Sequence, residues 1–187
     1  MRVIPFRSRT FDSHRQLTEA PILISRLAGA PARLEDVTCG IEERVMRRRP
    51  PDVEGKLKWS VFDHAGHLWD IDKIYFQRVR DFMAGVKTLS NPDPDNRATH
   101  EAHYNRAELN PILTGFRIDR STMANFLHTL EQEDFARVSN SARTGEPLRL
   151  IDFVEYISEH DDHHLALIRE LIWDPGVTNK PAINRPV

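Results

Sequence analysis

Four stretches of the chain carry apolar residues at helical spacing, and long connections separate them. In the last stretch the intervals between inward positions are 4, 3, 7, 4 and 3 residues, which is the spacing of one helical face. No strand-like alternation of comparable length occurs. The pattern predicts an all-α protein, a four-helix bundle with long connections. The inward positions of the last stretch are Leu150, Val154, Ile157, His164, Ile168 and Leu171.

Capping residues and helix breakers set the predicted boundaries. Ser60, with Asp63 three residues later, predicts a capping box at the start of the second helix. Asn110 before Pro111 predicts the start of the third, and Pro147 opens the fourth. We therefore expect helices over about 13–28, 60–84, 110–130 and 147–173.

The first helix contains a proline that allows two interpretations. Either Pro21 kinks the helix, or the regular part begins at Thr18 as N-cap and the proline falls in the tolerated first turn. Gly29 and Pro31 predict its end. Residues 35–58 stay unassigned, and 90–96 form a loop by composition. The chain of 187 residues is predicted to be one domain, with the bundle over about 13–173 and a tail over 174–187.

Composition excludes several classes of function. A net charge of -2 offers no general attraction to nucleic acid, and the run Arg47 to Arg49 beside two prolines predicts a solvated loop. No apolar run approaches the roughly 18 residues of a membrane span, and the N-terminal residues lack the apolar stretch of a secretory signal. Cys39 is the single cysteine, which fits a reducing compartment. We expect a cytoplasmic protein.

Two histidines occupy the apolar line of the last helix. His160 and His164 are four residues apart, so both imidazoles lie on one face, one turn apart. Burying them is costly unless their nitrogens find partners, which a metal ion or hydrogen bonds to Tyr, Asp or buried water can supply. A third ligand must come from another helix, and His67 on the second is the candidate. Three neutral histidines leave coordination positions open, as in catalytic sites.

Short motifs along the chain carry a family resemblance. Trp59-Ser60, then His67-Leu68 and Asp70, are followed far downstream by His160-x-x-x-His164. In this order and at this separation they resemble the DinB/YfiT-like superfamily, over about 13–173. That family is a four-helix bundle with a three-histidine site for a divalent metal.

The resemblance implies His67, His160 and His164 as ligands of a divalent ion, with zinc or nickel favoured. It implies a metal-dependent hydrolase, or a thiol S-transferase that uses a low-molecular-weight thiol. It also allows a homodimer.

Periodicity and resemblance disagree about the second helix. The wheel position of His64 lies closer than that of His67 to the apolar line, so periodicity favours His64 and resemblance favours His67. We choose His67, because a helix packed on several neighbours can bury more than one stripe. His64, Asp70 and His163 are then candidates for orienting the ligands, with His163 about 100° away from His164 on the wheel.

Two other kinds of metal site fit the sequence less well. A di-iron carboxylate bundle needs Glu three residues before His, and none of the nine histidines has it. A zincin would need Glu where His160 is followed by Asp161, and the shorter side chain disfavours that class.

Four further residues have open roles. His100 and His103 lie in the connection before the third helix and are predicted to be loop residues. Arg120 either pairs with a carboxylate between helices or binds substrate. Trp59 is interpreted as a packing residue.

The leading hypothesis is an enzyme that acts on a small molecule, with a His-held divalent cation activating water or a thiol or polarising a carbonyl. The rival hypothesis is a non-catalytic helical module that binds a small ligand and no metal.

Overall fold

The computed structural model describes residues 15–91 and 93–173. The predicted start of the first helix at residue 13 and the predicted tail 174–187 lie outside these residues. Within them, seven α-helices and two short strands follow one another, with 3-10 turns in some connections. The elements are α1 (Ala20–Ala28), α2 (Ala30–Thr38), α3 (Glu43–Met46), α4 (Val61–Met83), α5 (Arg97–Glu101), α6 (Leu109–His128), β1 (Val138–Asn140), β2 (Pro147–Arg149) and α7 (Leu150–Trp173).

The four-helix bundle consists of α1, α4, α6 and α7, which pack on one another and correspond to the four predicted helices. α4 and α7 run antiparallel, because His67 of α4 contacts His160 whereas Tyr75, farther along α4, contacts Phe153, earlier in α7. The predicted fold class is confirmed. Among the described residues, no helix combines the length and the apolar character that crossing a membrane requires.

The predicted start of the second bundle helix is confirmed in atomic detail. The backbone N–H of Asp63 donates to Oγ of Ser60 at 3.2 Å, and the N–H of Ser60 donates to the Asp63 carboxylate at 2.8 Å. This reciprocal pair satisfies two backbone donors that the first turn leaves without helical partners. It fixes the start of α4, and hence the position of His67 one turn farther on.

The observed start of the first helix decides between the two interpretations of Pro21. α1 begins at Ala20, so the proline lies in its first turn, where no helical hydrogen bond is lost. The N-cap is Glu19, and Thr18 lies in the 3-10 turn before the helix. Gly29 ends α1 as predicted, but α2 begins at the very next residue, because Pro31 is again tolerated in a first turn.

The starts of the last two bundle helices differ from their predictions. α6 begins at Leu109 with Glu108 as N-cap, two residues before the predicted cap Asn110. Pro147 does not open α7 but lies in β2, which pairs antiparallel with β1. The N–H of Leu150 donates to the carbonyl of Arg137, so the hairpin leads directly into the first turn of α7.

The arginine run is more ordered than the predicted solvated loop. Arg47 donates to the carbonyl of Ala107 at 2.8 Å, and Arg48 donates to a carbonyl of α7. Nε and Nη2 of Arg49 each donate to one carboxylate oxygen of Asp63, both at 2.7 Å. The run therefore attaches the 47–58 segment to α4 and α7.

A polar layer crosses the bundle between two apolar clusters. On α4 it lies between Ala65 of one cluster and Tyr75 of the other, and on α7 between Ile157 and Leu165. Burying polar groups is costly unless they find partners. The layer includes His67, Asp72, Arg120, His160, Asp161 and His164.

Candidate metal centre

Three histidines converge in the polar layer. His67 of α4 meets His160 and His164 of α7, and one ring nitrogen of each lies within 4.8 Å of the corresponding nitrogens of the other two. The side chains are buried, with 3% of His67 and 7% of each of the others exposed. Spacing of four on α7 and the antiparallel direction of α4 bring the three rings together.

The donor set fits a divalent ion. Nε2 of His67 lies 3.3 Å from Nε2 of His160, and two nitrogens bound tetrahedrally to zinc are about 3.3–3.4 Å apart. Burial lowers the pKa of His67 to about 4, and it lowers the pKa of His160 and His164 well below 6.5. The rings are therefore neutral at pH 7, with lone pairs available for a metal.

A hydroxyl connects His67 to the carboxylate predicted to orient it. Nδ1 of His67 lies 3.3 Å from Oγ1 of Thr99, and that hydroxyl donates to Asp70 at 3.2 Å. Asp70 thus acts on the ring through Thr99, without direct contact. If Nδ1–H donates to Thr99, Nε2 of His67 is left as the lone-pair nitrogen facing His160.

A glycine lets the Thr99 segment approach α4. A Cβ atom at Gly66 would lie 2.1 Å from the ring of Tyr104, a distance that real Cβ atoms essentially never show. The Tyr104 hydroxyl donates to Asp70 at 2.8 Å, so the tyrosine and Thr99 share one carboxylate. Neither Gly66 nor Thr99 belongs to an apolar repeat, so periodicity could not mark them.

His64 contacts the cluster from its other side. Its Nδ1 lies 2.9 Å from Nδ1 of His164, and its side chain is 7% exposed. The periodicity that favoured His64 as an inward residue was therefore correct about burial. The start of α4 buries every residue over 61–68, so His64 and His67 both point inward, to different partners.

His163 lies at the edge of the cluster. It is partly exposed, and its ring meets that of His164 edge-on with centroids 5.4 Å apart. This placement follows the 100° offset on the helical wheel.

Trp59 is more than a packing residue. Its ring lies 4.9 Å from that of His67 and 6.2 Å from that of His164, in both cases between centroids. It also contacts the rings of His64 and His100. The tryptophan covers one side of the histidine cluster, and its place just before the capping serine is the only sequence signal for that role.

Arg120 ties the four helices together beneath the cluster. Its fully buried guanidinium donates to Asp72 of α4 at 2.6 Å, to Asp161 of α7 at 3.1 Å, and to the carbonyl of Leu27 in α1 at 2.9 Å. Of its two predicted roles, pairing with carboxylates is the one observed. Because Asp161 is engaged by Arg120, it does not face the cluster as the base of a zincin-like site would.

A cavity of about 510 Å³ opens beside the cluster. The histidines form one end, and aromatic and aliphatic side chains of α4 and α7 form much of the remaining wall. A small organic molecule fits a space of this size. The histidine end is lined by Trp59, His67, His160, His163 and His164.

Comparisons with known proteins agree with this architecture. The family model described as the DinB superfamily matches residues 26–168. The solved structure of YfiT from Bacillus subtilis superposes with a TM-score of 0.75 at 21% identity, covering 87% of this chain and 91% of that one. YfiT is described as a probable metal-dependent hydrolase with an unusual four-helix bundle topology. No curated protein matches the chain.

Proposed function

The chain belongs to the DinB superfamily, and from that premise we propose that it is a divalent-metal-dependent hydrolase of small molecules. The ion is held by His67, His160 and His164. One observation carries the proposal: three buried imidazoles meet at the end of an open cavity. The description of YfiT as a probable metal-dependent hydrolase supports the same reaction class.

Nitrogen donors favour zinc or nickel over magnesium or calcium, which prefer oxygen ligands. Bound there, such an ion supplies Lewis acidity, which lowers the pKa of a coordinated nucleophile and polarises a carbonyl.

The residues of the chain have separable tasks in this proposal. Thr99 and Asp70 hold the tautomer of His67, and His64 contacts the ring nitrogen of His164. Trp59 shields one side of the imidazoles from water, which strengthens electrostatic interactions within the site. The cavity admits substrate from the other side.

Metal content tests the site directly. Purified protein should contain about one divalent ion per chain, and His160→Ala together with His164→Ala should abolish loading. His128→Ala, on the exposed end of α6, is the matched control and should load normally. Normal loading of the double variant would refute the assignment.

Reaction class is tested with simple esters and amides, with and without a low-molecular-weight thiol. We expect hydrolysis without thiol, loss on chelation and recovery with zinc or nickel. Strict thiol dependence would instead identify an S-transferase, which the same open site also serves.

The rival function is a non-catalytic binding module. It predicts a melting temperature unaffected by chelators or by added zinc or nickel, whereas bound metal stabilises the folded state. A homodimer, a cytoplasmic location and the absence of nucleic-acid and membrane partners stay predictions of the sequence.

A further inference from the structure

Arg78 is a partly buried cation on the wall of the cavity, at a distance from the histidines. Its Nε donates to the carbonyl of Ser90 at 2.7 Å, and its Nη2 donates to Oδ1 of Asn91 at 2.8 Å. These neutral acceptors hold the guanidinium plane. The carboxylate of Asp81, whose pKa the charge of Arg78 helps to lower, accepts a hydrogen bond from the N–H of Ser90. Among the residues that the structure describes, no carboxylate forms an ion pair with Arg78.

The acidic residue that lines this cavity, Asp93, is already engaged. Asp93 accepts hydrogen bonds from the backbone N–H groups of Arg97 and Ala98, at 2.7 and 3.0 Å. Its charge therefore compensates the start of α5. Arg143, on the hairpin turn, adds a second cation to the lining of the same cavity.

Apolar side chains separate Arg78 from the histidines. Along α4 the cavity is lined by His67, Ile71, Tyr75 and Arg78, at intervals of 4, 4 and 3 residues that keep them on one face. Eleven residues at 1.5 Å each place the two ends about 16 Å apart along the helix axis. The facing wall contains Phe153 and Tyr156 of α7, with Leu89 and Leu148 beside them.

We propose that this cavity binds an elongated monocarboxylate, with its carboxylate paired to Arg78 and its apolar chain lying over the aromatic wall. The other end of the ligand then lies at the histidines. The identity of that end rests on the proposed function, under which the substrate is an ester or amide whose acyl or leaving group carries a distal carboxylate.

The arrangement favours a carboxylate over a phosphate ester. A guanidinium held in one plane matches the two oxygens of a carboxylate in a bidentate pair. A phosphate dianion would bring a second negative charge into a cavity whose wall already contains the Asp93 carboxylate, and like charges repel.

Binding of octanoate, measured by calorimetry on chelator-treated and zinc-loaded protein, tests the inference. Octanamide, which is equally long but neutral, is the control ligand for the charge of octanoate. We expect octanoate to bind more tightly than octanamide in both preparations, and its affinity, unlike that of octanamide, to fall with added salt. Equal affinities, or tighter binding of octyl phosphate, would overturn the proposal.

Variants of Arg78 test whether its charge binds the carboxylate of octanoate. Arg78→Gln should weaken octanoate binding about tenfold or more while leaving octanamide within about twofold, as expected for loss of a charge-assisted pair. Arg78→Lys should retain part of the preference, which guards against a folding defect in the first variant. Arg80→Gln, on the same helix and exposed, is the control, and an equal loss in this variant would contradict the assignment.

The two proposals fail separately. If the protein never loads metal but Arg78 still governs octanoate binding, the proposed function falls and the carboxylate subsite stands. If metal loading and ester hydrolysis depend on the histidines while Arg78→Gln leaves octanoate affinity unchanged, only the subsite is refuted.

Discussion

Oγ1 of Thr99 lies 3.3 Å from Nδ1 of His67, so a five-residue helix in a connection sets the orientation of an imidazole on α4. The same hydroxyl donates to Asp70. Removing such an orienting partner typically costs 10- to 100-fold in metal affinity.

Thr99→Val should therefore weaken zinc binding by roughly 10- to 100-fold, and Thr99→Ser should restore most of it. A chromophoric chelator in competition measures the affinity. Thr122→Val, on the exposed face of α6, is the control. Equal affinities for Thr99→Val and wild type would show that the hydroxyl does not orient the ligand.

The two histidines of α4 should have unequal effects. His67→Ala should remove most of the metal affinity, because its nitrogen belongs to the cluster of three. His64→Ala should cost on the order of 10-fold or less, because His64 acts through His164. The reverse ranking in the same competition assay would make His64 the ligand.

Gly66 should tolerate no side chain. Gly66→Ala places Cβ against the Tyr104 ring, and we expect a loss of about 1–3 kcal/mol in unfolding free energy together with weaker metal binding. In the control Gly29→Ala, the nearest heavy atom to the new Cβ lies at an ordinary 3.5 Å. If both variants unfold at the same urea concentration, Tyr104 moves aside without cost.

Arg120 should be critical for stability. Arg120→Met leaves two buried carboxylates without their cation, a change that typically costs about 3–5 kcal/mol. Arg117 lies on the same helix as Arg120, and Arg117→Met, which removes an exposed ion pair with Glu35 of α2, should cost less than about 1 kcal/mol. Similar urea midpoints for the two variants would contradict this difference.

The capping box should make stability depend on pH. Burial by itself raises the pKa of Asp63, but Arg49 and the hydrogen bonds from Ser60 outweigh it, and the net pKa is lowered. A lowered folded-state pKa stabilises the protein above the unfolded value near 3.8, and this contribution is lost as pH falls through the folded value.

Asp63→Asn should consequently be less stable than wild type near neutral pH, by about 0.5–2 kcal/mol, and the difference should shrink below pH ~4. Urea unfolding across this range measures it. A difference that is constant with pH would mean that the carboxylate charge contributes nothing.

Apolar spacing and capping residues were enough to predict the bundle, because a helical face must repeat every three or four residues and its start must satisfy free N–H groups. They placed α4 correctly, with the capping box at Ser60 confirmed, and they identified α7 although it begins three residues after the predicted Pro147. Local signals failed where proline is compatible with two structures: Pro147 belongs to a strand, and Pro31 lies in the first turn of a new helix.

The sequence by itself determined that His160 and His164 share a face, since their separation is local. Only the tertiary structure decided their neighbours: His64 beside His164, Thr99 between His67 and Asp70, and the tryptophan over the rings. The contact of His64 with His164 joins residues 100 positions apart, that of Thr99 with His67 joins residues 32 apart, and no helical period relates them. They depend on how helices pack and how closely a connection can approach, which is a property of the assembled core.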